Sequence, residues 1–240
     1  MINKSSPIPI YYQIEEILRN QIEGEELTEQ DLIPSERVLS EKYEVSRMTI
    51  RQAITNLVNE GLLTREKGKG TFVAAKKMEQ PLLKLTGFSE DMKSRDLEPA
   101  TDIKNFAEVE MTPSESKYLK TKTGAKGYRV SRLRLANQIP MAYEVSTLPK
   151  EIFPLLTRDL VSQSFYDYAE KQLLLEIEGA KQTIEPSLAN KEESELLQIK
   201  KGDPVLILKR VSHLKDGRAF EYVKSVYRGD RYKFITEMKR

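Results

Sequence analysis

Two arginines spaced two residues apart offer the clearest chemistry in this chain of 240 residues. Arg132 and Arg134 lie in a segment that alternates like a β-strand, so both side chains point to the same face of a sheet. Adjacent guanidinium groups repel each other, and a phosphate or carboxylate ligand would satisfy both through charge-assisted hydrogen bonds. The spacing alone favours the other interpretation, in which the pair faces solvent on the polar side of a half-buried sheet.

Carboxylate and hydroxyl side chains repeat this spacing on two further predicted strands. Glu144 shares one face with Ser146, and Glu221 shares one face with Ser225 and Tyr227. These groups suit the hydroxyls of a sugar, but they suit an exposed strand equally well.

A third candidate group lies in the segment QSFYDY at residues 163–168. Ser164 and Tyr166 fall at the predicted start of a helix, where backbone N–H groups favour an anion. Ser164 is also explained as an ordinary N-cap.

The side chains that enzymes use most often are scarce. The chain contains no cysteine and one histidine, His213, which lies in a predicted strand beside a hairpin turn. Most nucleophile–base pairs and zinc sites are therefore unavailable. Glu144 and Glu221 are paired carboxylates that can act in acid–base catalysis, but their spacing does not indicate it. No P-loop or dinucleotide-binding glycine motif is present. We therefore predict a binding protein rather than an enzyme, with no cofactor and no metal.

A second surface with many hydrogen-bond donors lies near the N-terminus. Arg47, Arg51 and Thr55 recur at i, i+4 and i+8, so they share one face of a predicted helix. An apolar stripe between residues 50 and 58 marks the buried face. Such a surface suits phosphates and base edges, whereas the alternative interpretation is an ordinary solvated helix.

The elements around this helix favour DNA binding. Ser35 is placed as the N-cap of a short helix at Glu36–Tyr43, and Ser46 as the N-cap of the helix that begins at residue 47. Residues 63–66 and 71–73 predict a hairpin with a basic, glycine-rich tip at 67–70. A helix-turn-helix followed by a basic wing places its second helix in the major groove and its wing near the phosphate backbone.

The distribution of charge agrees with this interpretation. Residues 1–46 contain four Lys or Arg against ten Asp or Glu, whereas residues 47–77 contain seven against two. The basic charge is concentrated where the predicted recognition helix and wing lie, although the whole chain carries a net charge of only +2.

Composition and the order of predicted elements bound the fold. Hydrophobic residues make up 39% and charged residues 32%, no apolar run is long enough for a membrane span, and residues 1–10 lack a signal-peptide core. We predict a soluble cytoplasmic protein that does not bind a membrane.

A helix is predicted over 9–23 and a linker over 76–86. After the linker, hairpins at 127–148 and 204–227 alternate with helices at 114–119, 165–172 and 191–197, which is typical of an α+β domain with an antiparallel sheet.

Residues 33–73 resemble the GntR superfamily of bacterial transcription regulators. The matching motifs are PSER (34–37), SRMTIRQAI (46–54), LxxEGLL (57–63) and GKGTFV (68–73). The resemblance implies a winged helix-turn-helix domain over 1–75. It also implies that Arg37, Arg47 and Gly68 contact bases, and that phosphates are held by Ser35, Ser46, Thr49, Arg51 and Thr71.

Residues 82–235 resemble the HutC-type effector domain of these regulators, which has a chorismate-lyase-like α+β fold. The matching motifs are LTGFSEDMKSR (85–95), RLRLANQIPMAYE (132–144), SFYDY (164–168) and FEYVKSVYRGDRYKF (220–234). Within this subfamily the chain resembles the repressors of N-acetylglucosamine utilisation, which bind glucosamine-6-phosphate or N-acetylglucosamine-6-phosphate. The resemblance implies that the phosphate is held by Ser89, Arg132, Arg134, Ser164 and Tyr166. It implies that the sugar is lined or recognised by Phe88, Glu144, Glu221 and Tyr227.

These observations together predict a two-domain transcription factor, with an effector-binding and dimerisation domain over 87–240. The resemblance implies a homodimer that represses genes from a palindromic operator and leaves the DNA when the sugar phosphate binds. The residues leave two other hypotheses open. One is a HutC-type regulator that responds to another organic anion, and the other is a DNA-binding protein without a ligand.

Overall fold

A computed structural model describes residues 2–83, 85–162 and 165–238 of the chain. The chain divides into two compact units, Met1–Lys77 and Met78–Arg240. The division falls inside the predicted linker at 76–86.

The first unit is built from three helices and a hairpin. Its elements are α1 (Ile10–Glu23), α2 (Glu36–Tyr43), α3 (Arg47–Asn59), β1 (Leu63–Glu66) and β2 (Gly70–Val73). Both predicted N-caps are confirmed, since Ser35 accepts a hydrogen bond from the amide of Val38 and Ser46 accepts one from the amide of Thr49.

The apolar stripe of α3 is buried as its spacing predicts. Ile50, Ala53, Ile54 and Leu57 pack in one core with residues of α1 and α2. Gly61 ends the helix with a φ of 78°, the left-handed conformation that favours glycine at this position. Packing of this stripe fixes α3 so that its polar face, with Arg47 and Arg51, is turned to solvent.

The second unit is an α+β fold around an antiparallel sheet of six strands. Its strands are β3 (Met78–Pro81), β4 (Pro99–Glu110), β5 (Lys126–Ala136), β6 (Ile139–Pro149), β7 (Ile177–Leu188), β8 (Pro204–Leu214), β9 (Ala219–Arg228) and β10 (Tyr232–Ile235). The large sheet has the order β4-β5-β6-β9-β8-β7, and β3 and β10 form a separate parallel pair. The predicted fold class is thereby confirmed.

Short helices connect and cover this sheet. They are α4 (Phe88–Lys93), α5 (Pro113–Leu119), α6 (Arg158–Ser162), α7 (Phe165–Asp167) with a π-helical turn at Tyr168–Gln172, and α8 (Lys191–Leu197). Among the described residues, no helix is long and apolar enough to cross a membrane.

Both predicted hairpins are present. Asn137 and Gln138 form the turn between β5 and β6 with positive φ values of 47° and 64°, a turn that matches the twist of paired strands. The sequence analysis did not predict β4 and β7, the two edges of the large sheet. It also did not predict the pairing of β3 with β10, whose residues 78–81 fall within the predicted linker.

Candidate functional site

One face of the large sheet lines an open pocket in the second unit. In the sheet register Arg132 lies opposite Glu144, Glu144 lies opposite Ser225, and Arg210 lies opposite Val223, so all five residues share this face. The pocket holds about 770 Å³, part of it open to solvent. Its remaining walls come from β3, α4 and its preceding loop, α7 and β10, through Gln80, Gly87, Phe88, Tyr166, Tyr232 and Phe234.

Arg132 and Arg134 are buried in this pocket, with 4% and 7% of their surfaces exposed. The interpretation as a solvent-facing pair is therefore wrong. Arg134 Nε donates to Glu144 Oε2 at 2.7 Å, and Arg132 Nη2 lies 3.4 Å from the same oxygen. Arg132 Nη2 also donates to Ser146 Oγ at 2.9 Å, and Arg134 Nη1 donates to Thr101 Oγ1 at 2.7 Å. Two guanidinium groups thus share one buried carboxylate.

Glu221 is the second buried carboxylate of the sheet face. It accepts hydrogen bonds from the hydroxyls of Tyr166 at 3.1 Å, Ser146 at 3.3 Å and Ser212 at 3.4 Å. Its Oε1 lies 3.9 Å from Arg132 Nη2. These three hydroxyls therefore fix the orientation of the Glu221 carboxylate in the pocket.

The surrounding charges shift the pKa values of these groups. Burial alone would raise the pKa of Glu144, but the charges of Arg134 and Arg132 outweigh it and hold that pKa below its usual value. Burial, together with the charge of Glu221, raises the pKa of Tyr166. Burial and the charge of Glu144 raise the pKa of Tyr227 to about 12. At neutral pH the carboxylate is therefore ionised and both tyrosines retain their hydroxyl protons.

Two buried donors of the pocket residues are unpaired. Arg132 Nε and the hydroxyl of Tyr232 have no hydrogen-bond partner within the described ranges. Buried polar groups in proteins are nearly always satisfied, so leaving these two donors unpaired costs the empty pocket stability. In the same described ranges, no group of three or more His, Asp or Glu residues could hold a metal ion.

The pocket brings together eight of the nine residues that the resemblance assigns to the effector. They are Phe88, Ser89, Arg132, Arg134, Glu144, Tyr166, Glu221 and Tyr227. The ninth, Ser164, lies outside the described residues. The Arg134 guanidinium carbon lies 5.6 Å from the centre of the Phe88 ring, so a cation–π contact joins two of them. Their individual roles toward a ligand remain predictions.

Arg210 is a pocket residue that the sequence analysis did not single out. Its Nε donates to Gln182 Oε1 at 3.1 Å, and it lines the pocket together with Tyr166 and Glu221. The predicted hairpin of residues 204–227 contained the information needed to find it, because pairing Arg210 with Val223 places it on the face of Glu221.

The predicted DNA-binding residues lie in or next to α2, α3 and the β1–β2 hairpin of the first unit. Six of them are exposed: Ser35, Arg37, Ser46, Arg47, Arg51 and Gly68. Thr49 and Thr71 are half-buried. Ser35 and Ser46 also cap the two helices, so their hydroxyls hold backbone amides in this structure.

Two of the predicted arginines are paired with carboxylates of α2. Arg37 Nη1 lies 2.9 Å from Glu41, and Arg51 Nη2 lies 2.7 Å from Glu36. The hydrogen bonds from Arg51 hold the pKa of Glu36 below its usual value, and the charge of Arg65, at 3.7 Å, contributes. A phosphate that binds Arg51 would have to replace this carboxylate.

Comparison with known families identifies two regions of the chain. Residues 10–73 match the model of bacterial regulatory proteins of the gntR family, and residues 94–233 match the UTRA domain. The two matches fall in the two compact units.

Full-length relatives agree with this division. The chain is 48% identical over 239 residues to the HTH-type transcriptional repressor NagR of Bacillus subtilis, covering 100% of this chain and 98% of that protein. It is 32% identical over 232 residues to the mannosyl-D-glycerate transport/metabolism system repressor MngR of Escherichia coli, covering 97% of each. The crystal structure of PhnF from Mycobacterium smegmatis superposes with a TM-score of 0.64 at 25% identity, over 95% of this chain and 98% of that one.

Proposed function

Because the chain belongs to the gntR family of bacterial regulatory proteins and carries a UTRA domain, we propose that it represses amino-sugar utilisation genes and is released from its operator by a phosphorylated amino sugar. It is a DNA-binding transcription regulator rather than an enzyme, as its full-length relatives are transcriptional repressors. The regulated genes, the identity of the effector and its release of the DNA are the parts that we propose.

The observation that carries the effector proposal is the charge of the pocket. Three arginines of the sheet face, Arg132, Arg134 and Arg210, meet two carboxylates, Glu144 and Glu221. Buried charge is costly unless it is balanced. A phosphate would supply the missing negative charge and accept the donors that point into the pocket.

The other pocket residues suit a sugar. Phe88 and Tyr227 offer aromatic surface, and Glu144 offers carboxylate oxygens that accept from hydroxyl or amino groups. Asp91 also lines the pocket but is paired with Arg95 at 3.0 Å, so it leaves the excess of positive charge unchanged.

We propose that α3 enters the major groove of the operator. In this proposal Arg37, Arg47 and Gly68 contact bases, while Ser35, Ser46, Thr49, Arg51 and Thr71 hold phosphates. Support comes from the solvent-exposed polar face of α3 and from the basic charge of residues 47–77.

The proposed switch uses the strand that begins the second unit. Gln80 of β3 lines the pocket and lies three residues after Lys77, the last residue of the first unit. A ligand that contacts this wall would change the orientation of the DNA-binding units in a homodimer and so break their fit to the two half-sites. The coupling that such a switch needs is about 1–3 kcal/mol.

Another organic anion is the second candidate effector. One relative is named for mannosyl-D-glycerate, in which a sugar carries a carboxylate, and a carboxylate would also balance the arginines. A regulator without any ligand would leave the excess positive charge of the pocket unbalanced.

Titration of operator DNA tests the proposed function. A palindromic operator selected from random DNA is bound by the full chain, with and without glucosamine-6-phosphate, N-acetylglucosamine-6-phosphate and the unphosphorylated sugars. We expect release by the phosphates at far lower concentrations than by the free sugars. The double variant Arg132→Gln/Arg134→Gln should bind the operator and ignore the ligand, whereas the exposed control Arg218→Gln should respond normally. Operator binding that neither phosphate weakens would contradict the proposed effector.

A further inference from the structure

Arg210 lines the pocket, and its contacts with the protein do not balance its charge. It lies on β8, two strands away from β6, and shares the sheet face with Glu221 and Ser212. Its Nε donates to Gln182 Oε1 of the edge strand β7 at 3.1 Å. The side chain is thus fixed at the pocket wall by a neutral amide.

The charge of Arg210 is not paired with a carboxylate. Arg134 and Arg132 lie 2.7 Å and 3.4 Å from Glu144, whereas no ion pair within 4.0 Å joins Arg210 to a carboxylate in the ranges 2–83, 85–162 and 165–238. Glu221 acts on it electrostatically from beyond that distance, and the same carboxylate already faces Arg132 at 3.9 Å. An arginine remains charged at any physiological pH, so the positive charge at this wall is permanent.

Tyr166 connects this charge to the interior of the pocket. Its hydroxyl, which retains its proton, donates to Glu221 at 3.1 Å and also lies 3.2 Å from Ser212 Oγ. Ser212 lies two residues from Arg210 on the same face of β8, so an anionic oxygen that reaches the Tyr166 hydroxyl would arrive near Arg210 as well. Guanidinium groups bind such oxygens through strong, often paired hydrogen bonds.

We propose that Arg210 binds an anionic oxygen of the effector directly, as a third arginine of the pocket acting with the hydroxyl of Tyr166. This inference rests on the proposed function, because it takes the pocket to be the effector site. The chemistry required is an oxyanion, either a phosphate or a carboxylate. Arg210 then contributes, with Arg132 and Arg134, to specificity for charged over neutral sugars.

A purely structural role, in which Arg210 only ties β8 to β7 through Gln182, makes a different prediction. A tether lost by mutation lowers the stability of the unliganded protein. A cation held for a ligand costs stability while the pocket is empty, so its removal should leave the unliganded melting temperature unchanged or higher.

The test compares Arg210→Gln and Arg210→Lys with Lys209→Gln in the full chain. Lys209 is the neighbouring cation on the opposite face of β8, where it pairs with Glu185 at 3.3 Å, so its variant removes the same charge from the same strand. Calorimetric titration uses glucosamine-6-phosphate, N-acetylglucosamine-6-phosphate, inorganic phosphate and acetate, and melting temperatures are recorded without ligand. We expect R210Q to bind phosphate-bearing ligands roughly 10- to 100-fold more weakly than the wild type, as for loss of a charged hydrogen bond. R210K should recover part of this loss, and K209Q should bind as the wild type does.

The outcomes separate this inference from the proposed function. If the amino-sugar phosphates bind and R210Q binds them as tightly as the wild type, or loses affinity together with unliganded stability, the role of Arg210 is overturned and the function stands. If neither sugar phosphate binds but inorganic phosphate or acetate binds in an Arg210-dependent way, the inference stands and the amino-sugar effector fails. The preferred one of these two small anions then identifies the oxyanion class. Absence of binding by all four probes overturns both.

Discussion

Replacing Glu144 by glutamine tests whether the pocket of the empty protein depends on one shared carboxylate. Glu144 is 7% exposed, and its Oε2 lies 2.7 Å from Arg134 Nε and 3.4 Å from Arg132 Nη2. Glutamine keeps the shape of the side chain and removes its charge. Two buried guanidinium groups then face each other across a neutral amide.

The expected cost follows from this geometry. Removing one partner of a buried ion pair destabilises a protein by about 3–5 kcal/mol, because the other charge remains buried and unbalanced. For a protein of this size 1 kcal/mol corresponds to roughly 2–4 °C in melting temperature, so E144Q should melt about 10 °C below the wild type. Glu108 provides a control, since it forms a short ion pair with Lys150 at 2.6 Å on the surface. E108Q should melt close to the wild type because solvent screens exposed pairs.

Thermal unfolding at neutral pH, followed by calorimetry, measures both variants. Adding inorganic phosphate should raise the melting temperature of E144Q more than that of the wild type, because the anion replaces the lost charge beside the arginines. A melting temperature of E144Q within about 2 °C of the wild type would refute this account of the pocket. The arginines would then be stabilised by something other than Glu144.

Two further predictions concern carboxylates outside the pocket. Glu36→Gln frees Arg51, which Glu36 holds at 2.7 Å, so binding to random DNA should strengthen and its salt dependence should steepen by about one unit in log K against log salt. Fluorescence anisotropy across salt concentrations measures this, with Glu44→Gln as the control, since Glu44 follows the same helix and pairs with Lys4. Weaker binding by E36Q would mean that Glu36 positions Arg51 for DNA. The second prediction is that stability falls as the pH drops from about 4.5 toward 2. Burial alone would raise the pKa of Glu115, but hydrogen bonds from Thr112 and Arg129 lower that pKa from 4.5 to about 2. The stabilisation that ionised Glu115 provides is therefore complete above pH 4.5 and is lost as the pH falls toward 2. Denaturation at a series of pH values should show a smaller loss in Glu115→Gln, and an equal loss in both proteins would contradict the assignment.

The first unit was predictable from sequence because local spacing determines it. The apolar stripe of α3 repeats every three or four residues, and serines stand at the N-caps of α2 and α3. The helix, its exposed arginine face and the hairpin all follow from such short-range patterns. The same holds for the hairpins of the second unit, whose turns contain Asn137, Gln138 and Gly217 in left-handed conformations.

The burial of Arg132 and Arg134 was not predictable in this way. Alternation shows that two side chains share a face, but it does not show whether that face meets solvent. The answer lies in distant segments: Phe88 of α4, Tyr166 of α7 and Tyr232 of β10 all line the same pocket. Edge strands β4 and β7 were also missed, because a polar edge carries only a weak strand pattern.

The contacts of the empty pocket also indicate how a ligand would act on it. Glu144 and Glu221 hold Arg132 and Arg134 before any ligand is present, so a phosphate that binds Arg134 Nε or Arg132 Nη2 replaces a carboxylate as the partner of that arginine. On the proposed function, the released carboxylate becomes free to accept from the sugar, and one binding event exchanges several ion pairs at once. The wall beside this exchange contains Gln80, on the strand that begins at Met78, the first residue after the DNA-binding unit. On the proposed function, a change of partners within the pocket would reach the start of the second unit through one strand, β3.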